Sequence, residues 1–190
     1  MKKTLLVTAI LSMTSALAFA QTAPVTNITT DTSKINVEYN FAQHVQGDSG
    51  HKDGFGVSLE HGFSDRLAAQ YSYSKLNSKN ITNIKDHQLA LVYKYNDMIN
   101  FYGAGTLIDT HSHNYGVQAG VIGYMPISDK INGYAKVGLG DDIKQSYQIG
   151  ANYALTDGVD LNVYYGYDNY NMNEKNTTVK GLHAGIGYTF

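Results

Sequence analysis

The most reactive-looking stretch of the chain is Asp109-Thr110-His111-Ser112-His113. An aspartate two residues from a histidine can set a carboxylate beside an imidazole, a pair that activates water by general base catalysis. A further pair of carboxylates stands at the adjacent Asp141-Asp142, near another outer loop. His111 and His113 lie two apart, so on an extended strand they face the same way, and with His44 and His51 they could hold zinc. No spacing pattern singles these histidines out, and solvated loop histidines are the simpler reading, so neither a metal nor a cofactor is expected. Gly103-Ala104-Gly105 sits inside a strand pattern and opens no helix, which removes a phosphate cradle.

Any such chemistry depends on the elements that hold it, and a repeated phrase reveals them. Phe63-Ser64-Asp65-Arg66-Leu67 returns as Tyr95-Asn96-Asp97-Met98-Ile99, Ile127-Ser128-Asp129-Lys130-Ile131 and Leu155-Thr156-Asp157-Gly158-Val159. Ser, Thr, Asn and Asp tie their side chains to nearby backbone and favour tight turns. The four aspartates are 32, 32 and 28 residues apart, the length of one strand up, a loop and one strand down. The spacing predicts a repeated hairpin.

From Lys34 onward apolar and polar residues alternate, and side chains on a strand point to opposite faces in turn. The apolar face carries Ile35, Val37 and Tyr39, then Val57 and Leu59, Tyr71 and Tyr73, Leu89 and Leu91, and continues through Val163 and Tyr165 to Leu182, Ile186 and Phe190. The other face carries Glu38, Asn40, Ser58, Glu60, Gln70, Gln88, Lys94, Asn100, Gln118, Lys136, Gln148, Asp160, Asn162 and His183. Ten strands follow. A soluble sandwich and a membrane barrel share this alternation. Tyrosines gathered near strand ends and a strict alternation of short turns with longer polar loops favour the barrel, with its apolar face to lipid and its polar face enclosed.

The beginning of the chain fits export. Residues 1–20 hold Lys2 and Lys3, an apolar run from Leu5 to Leu11 and the small-residue ending Ala18-Phe19-Ala20, the three parts of a secretory signal peptide. Residues 21–33 are rich in Thr, Asn and Ala, lack periodicity and read as a flexible lead-in, leaving residues 34–190 for the barrel. Loss of Lys2 and Lys3 moves the net charge from −2 to −4. Arg66 is the single arginine and the lysines are scattered, so nucleic acid is not expected as a partner. Without cysteine, no disulfide holds the chain together.

The last strand, Gly181-Leu182-His183-Ala184-Gly185-Ile186-Gly187-Tyr188-Thr189-Phe190, ends in an aromatic residue. With the signal peptide and the hairpin repeat, it resembles the Gram-negative outer-membrane proteins of the opacity-protein and outer-membrane-protein-A barrel superfamily. The resemblance implies an all-β, antiparallel up-and-down transmembrane barrel, here of ten strands with eight as the alternative, both termini being periplasmic. It implies outer-membrane lipid as the surroundings and a C-terminal strand ending in Phe190 that the barrel assembly machinery reads. A monomer is expected.

Within such a barrel Glu38, Glu60 and Arg66 come from the first three strands near the periplasmic rim, and an enclosed charge must be paired. Together with Lys94, Lys136 and Asp160 they form a predicted lumen charge network, either a gate or a static filling. The five outer loops are expected at residues 43–52, 77–85, 109–114, 140–145 and 168–179. Gly103, Gly105, Ala119, Gly123, Gly133 and Ala135 thin the lipid side of strands five to seven, either for close approach of another barrel or for bending.

Three functions are open: a structural or surface-exposed envelope role, a narrow porin-like channel for small solutes, and an outer-membrane enzyme. For the third, Asp109 and His111 resemble half the site of the omptins, ten-stranded outer-membrane proteases, and a His-x-Ser arrangement resembles a lipid-A deacylase without matching its motif. No enzymatic activity is expected.

Overall fold

Ten strands form in the order the alternation predicts. The computed structural model describes residues 22–76, 84–110, 113–172 and 175–190, so the expected signal peptide and His111 lie outside the described residues. The strands are β1 (Ser33–Val45), β2 (Lys52–Gly62), β3 (Leu67–Leu76), β4 (Ile84–Lys94) and β5 (Ile99–Asp109), then β6 (His113–Ser128), β7 (Ile131–Gly140), β8 (Ile143–Thr156), β9 (Val159–Met172) and β10 (Lys175–Thr189). Each pairs antiparallel with its sequence neighbours, and β1 pairs with β10 to close the barrel.

The repeated phrase makes the turns, and its small polar residue does the work. Ser64 Oγ accepts the N–H groups of Arg66 and Leu67 at 3.3 and 3.1 Å. Asn96 Oδ1 accepts from Met98 at 2.8 Å, Ser128 Oγ from Lys130 at 3.4 Å, and Thr156 Oγ1 from Gly158 and Val159 at 3.3 and 3.1 Å. Each satisfies backbone donors that a two-stranded ladder leaves open at its end. These turns lie at the same end as the closure of the barrel, where Ser33 and Phe190 exchange backbone hydrogen bonds of 3.0 and 2.8 Å. That end is the turn end below, and the opposite one the loop end.

The apolar face points outward along every strand. Leu89 is 60 % and Ile149 66 % exposed, which no stable surface in water would repeat around a whole barrel. Parity changes once within β1. The register shifts between Phe41 and His44, and Ala42 at the shift has φ of 55°. Beyond this bulge the inward positions are Gln43 and Val45 instead of the even-numbered Asn36, Glu38 and Asn40. The strands also run further toward the loop end than the sequence suggested. Asp168, expected in a loop, is a buried, inward-facing residue of β9.

Candidate functional site

The lumen is the candidate site, and it is filled in three layers. Nearest the turn end, Lys34 Nζ pairs with Asp160 at 2.8 Å, and Glu60 on β2 lies in the field of the same lysine. These side chains line a vestibule of about 200 Å³ open toward the turn end. Just above, Glu38 accepts the Tyr164 hydroxyl at 2.7 Å, Tyr134 donates to Asn162 at 2.8 Å, and His183 stacks on Tyr164 with ring centroids 4.2 Å apart. A buried carboxylate supplied with hydrogen-bond donors is what a low-dielectric interior tolerates.

The middle layer holds the least expected feature. Residues 22–33, read from sequence as a flexible lead-in, enter from the turn end and run up inside the barrel. The entry is fixed where Asp31 N–H bonds Gly62 O at 2.9 Å and Thr30 donates to Asp65. Further in, Ala23 N–H donates to Glu38 at 2.6 Å. Gln70 donates to Ala23 O at 2.9 Å, Asn100 to Val25 O at 3.0 Å and Gln148 to Thr22 O at 3.3 Å. An extended segment has no ladder of its own, so the lumen amides supply the partners its backbone requires.

Val25 and Ile28 are buried and pack with Ala68, Ala90, Val92, Tyr102, Ala104 and Ile122. Burying two aliphatic side chains stabilises the inserted segment by about 1.5–3 kcal/mol each. The correction has a physical cause. Absence of periodicity marks a segment that is neither strand nor helix, and it says nothing about whether the segment is enclosed.

The third layer closes the loop end. Val45, Leu76, Ile84, Ile108, Ile143, Tyr170 and Val179 come from seven different strands and meet as one buried apolar cluster. Beneath it Lys136 lies over the Tyr102 ring at 4.8 Å, within the field of Asp168 and Asp86. Tyr170 donates to both of those carboxylates at 3.4 and 3.5 Å. The barrel is occupied from the vestibule to this cap.

The six residues singled out from sequence divide accordingly. Glu38, Glu60 and Asp160 share the lower layer, and Lys136 stands in the upper one. Arg66 does not join them. It is exposed in the β2–β3 turn, one residue before β3 begins. Lys94 turns to its own hairpin, 2.8 Å from Asp97. Both departures follow from position, because a long cation at a strand end reaches water more cheaply than it enters a lumen. Sequence reasoning missed Lys34, Asp86, Asp168 and the inserted segment. A signal existed for the last: Ala68, Ala90, Val92, Ala104 and Ile122 are apolar on the otherwise polar face of β3–β6, and an apolar patch inside a lumen needs an apolar partner.

Asp109 lies on the outward face, bonded to Lys85 at 2.9 Å and 3.4 Å from His113, so it does not look across the barrel mouth. Asp141 is used by the β7–β8 loop: its carboxylate accepts the N–H groups of Val117 and Asp142 at 2.7 and 2.9 Å. Those bonds hold its carboxyl below the usual carboxylate range, the bond from Val117 being the larger influence. Among the described residues no three acidic or histidine side chains gather as a metal site.

Comparison with known proteins agrees with the architecture. The family model of the outer membrane protein β-barrel domain matches residues 6–190. A search of curated proteins finds no match. Among solved structures, the attachment invasion locus protein Ail of Yersinia pestis is 14% identical over 85% of this chain and 100% of its own, with a TM-score of 0.44. The N-terminal β-barrel domain of Pseudomonas aeruginosa OprF is 13% identical over 85% and 98%, with a TM-score of 0.42. An outer-membrane channel from Pseudomonas putida F1 is 11% identical over 90% and 100%, with a TM-score of 0.50.

Proposed function

Since the chain belongs to the outer membrane protein β-barrel family, we propose that it is a closed-lumen barrel with a structural or surface-exposed role in the bacterial envelope, and not a solute pore. One observation carries this reading: the lumen is occupied by residues 22–28 in its middle and by a seven-residue apolar cap at its loop end. A conducting pore needs a continuous wet path, and an apolar layer with side chains in contact from seven strands offers water no partners. The protein is exported by cleavage before Gln21, is inserted through recognition of the strand ending in Phe190, and works as a monomer in outer-membrane lipid. It is not an enzyme in this reading, because the Asp109 carboxylate is engaged by Lys85 on the lipid side.

A second reading draws on the amide belt. Gln70, Asn100 and Gln148 hold the inserted segment by its backbone, and withdrawal of that segment would leave a polar passage up to the cap. Deletion of the gene decides between the two. A structural role predicts greater sensitivity to detergent and to osmotic shock, restored by the full chain. Intact envelope resistance together with slowed uptake of a small solute would overturn it in favour of the channel.

A further inference from the structure

Among the described residues nothing donates a hydrogen bond to the Glu60 carboxylate, although Glu60 is only 8 % exposed. Its register partner Lys34 turns the other way, across β10, and pairs with Asp160 on β9 at 2.8 Å. Gly187 on β10 leaves room for that reach: a side chain there would meet Lys34 Cε at 2.5 Å and Asp160 Oδ1 at 2.8 Å. A second acceptor is unused nearby. Asn152, 9 % exposed, gives its Nδ2 to Thr26 Oγ1 at 3.4 Å, and its buried Oδ1 has no partner among the described residues. Glu60 and Asn152 both line the vestibule of about 200 Å³, with Asp157 of the exposed β8–β9 turn at its mouth and Pro24 and Ala154 as apolar wall.

We propose that the vestibule binds a linear aliphatic diamine, one ammonium group on Glu60 and Asn152 and the other on Asp157 at the mouth. Burial argues for a cation. A carboxylate withdrawn from water needs donors or an opposite charge, and Pro24 of the inserted segment has no N–H to offer. Charge argues for two ammonium groups, since Glu60, Asp160 and Asp157 face Lys34 alone and leave two negative charges over. The donor set argues against a metal ion: among the described residues no three acidic or histidine side chains gather as ligands, and Lys34 beside Asp160 repels a divalent cation. An ammonium instead brings three N–H donors, which the Glu60 oxygens and Asn152 Oδ1 accept. Size argues for a chain between the charges. The space is several times the share of one water, about 30 Å³, and Pro24 and Ala154 give methylene groups an apolar surface. The turn end is periplasmic in the outer-membrane reading, so the amine enters from the periplasm. The site needs the inserted segment as its wall and does not depend on an envelope role.

Isothermal titration calorimetry of the refolded chain beginning at Gln21, in uncharged detergent, tests it with 1,4-diaminobutane, 1-aminobutane and magnesium as probes. The wild type is expected to give saturable, one-to-one heat with the diamine and to bind the monoamine about threefold more weakly, because Asp157 is exposed and its attraction screened. Glu60→Gln is expected to lower the affinity for both amines by about tenfold or more. Asp157→Asn is expected to bring the diamine down to the level of the monoamine and to leave the monoamine unchanged. Heat-modifiable gel mobility confirms that each variant is folded, and Glu60→Gln should fold as well as the wild type without amine, since it loses no hydrogen bond. The absence of saturable heat with the diamine would overturn the proposal, and so would magnesium binding as tightly as the diamine. Unchanged diamine affinity in either variant would overturn it too. A barrel that conducts and still binds the diamine refutes the closed lumen alone; a silent barrel that ignores it refutes the amine site alone.

Discussion

Glu38 joins three elements through one carboxylate. Oε1 takes the Ala23 N–H of the inserted segment and Oε2 the hydroxyl of Tyr164 on β9. Replacing it by glutamine puts an amide NH2 where one of the two acceptor oxygens stands, so one of these donors loses its partner, and we expect Glu38→Gln to lower stability by about 1–3 kcal/mol in urea unfolding of the detergent-solubilised barrel. Lys34→Met is expected to cost about 3 kcal/mol in the same measurement, since it leaves Asp160 and Glu60 facing one another without their cation. At the loop end, Asp141 pins Val117 and Asp142, and its carboxyl is held below the usual range by those N–H donors. A depressed folded-state value means that this contribution is complete above the unfolded value and is lost as pH falls through the folded one. The β7–β8 loop should therefore stay ordered at mildly acidic pH and loosen only in stronger acid, as a carbon-detected titration of the Asp141 carboxyl would follow. An Asp141 that titrates at the ordinary aspartate value would contradict this.

Among the elements, the turns were the most legible. Four repeats of a small polar residue before an aspartate gave the hairpins directly, because the local hydrogen bonds that make a tight turn need only neighbours in sequence. Strand faces were equally legible, since a period of two is a local property. The inserted segment was not. Its partners Gln70, Asn100 and Gln148 lie 47, 75 and 126 residues away, and no local pattern encodes contacts of that span. The bulge in β1 was hidden for a related reason, as Phe41 to Val45 continues to look like a strand. Ala42→Gly relieves a left-handed backbone that a side chain disfavours, and is expected to be neutral or to stabilise by up to about 1 kcal/mol. Val25→Asp places a charge in the apolar cluster with Ala90 and Ile122, and should expel the segment. Limited proteolysis would then cut near residues 22–28, while the strands remain protected; unchanged resistance would show that the segment is held some other way.

At the scale of the whole molecule, a ten-stranded barrel stands between those that side chains fill and those that leave a pore, and the number of strands decides nothing. What decides here is occupancy. The expected charge network became two separate layers with an inserted segment between them, and two of its six members, Arg66 and Lys94, left the lumen for the turn end. Closure at the loop end by side chains from seven strands makes the cap a property of the entire fold, so no single truncation should open it. The direct measurement is planar-bilayer conductance of the refolded chain beginning at Gln21, with folding verified by heat-modifiable mobility. A closed lumen gives a silent bilayer at moderate voltage, and remains silent after Val25→Asp because the cap is still in place. Steady, ohmic openings of the unmodified chain would contradict it and make the barrel a channel.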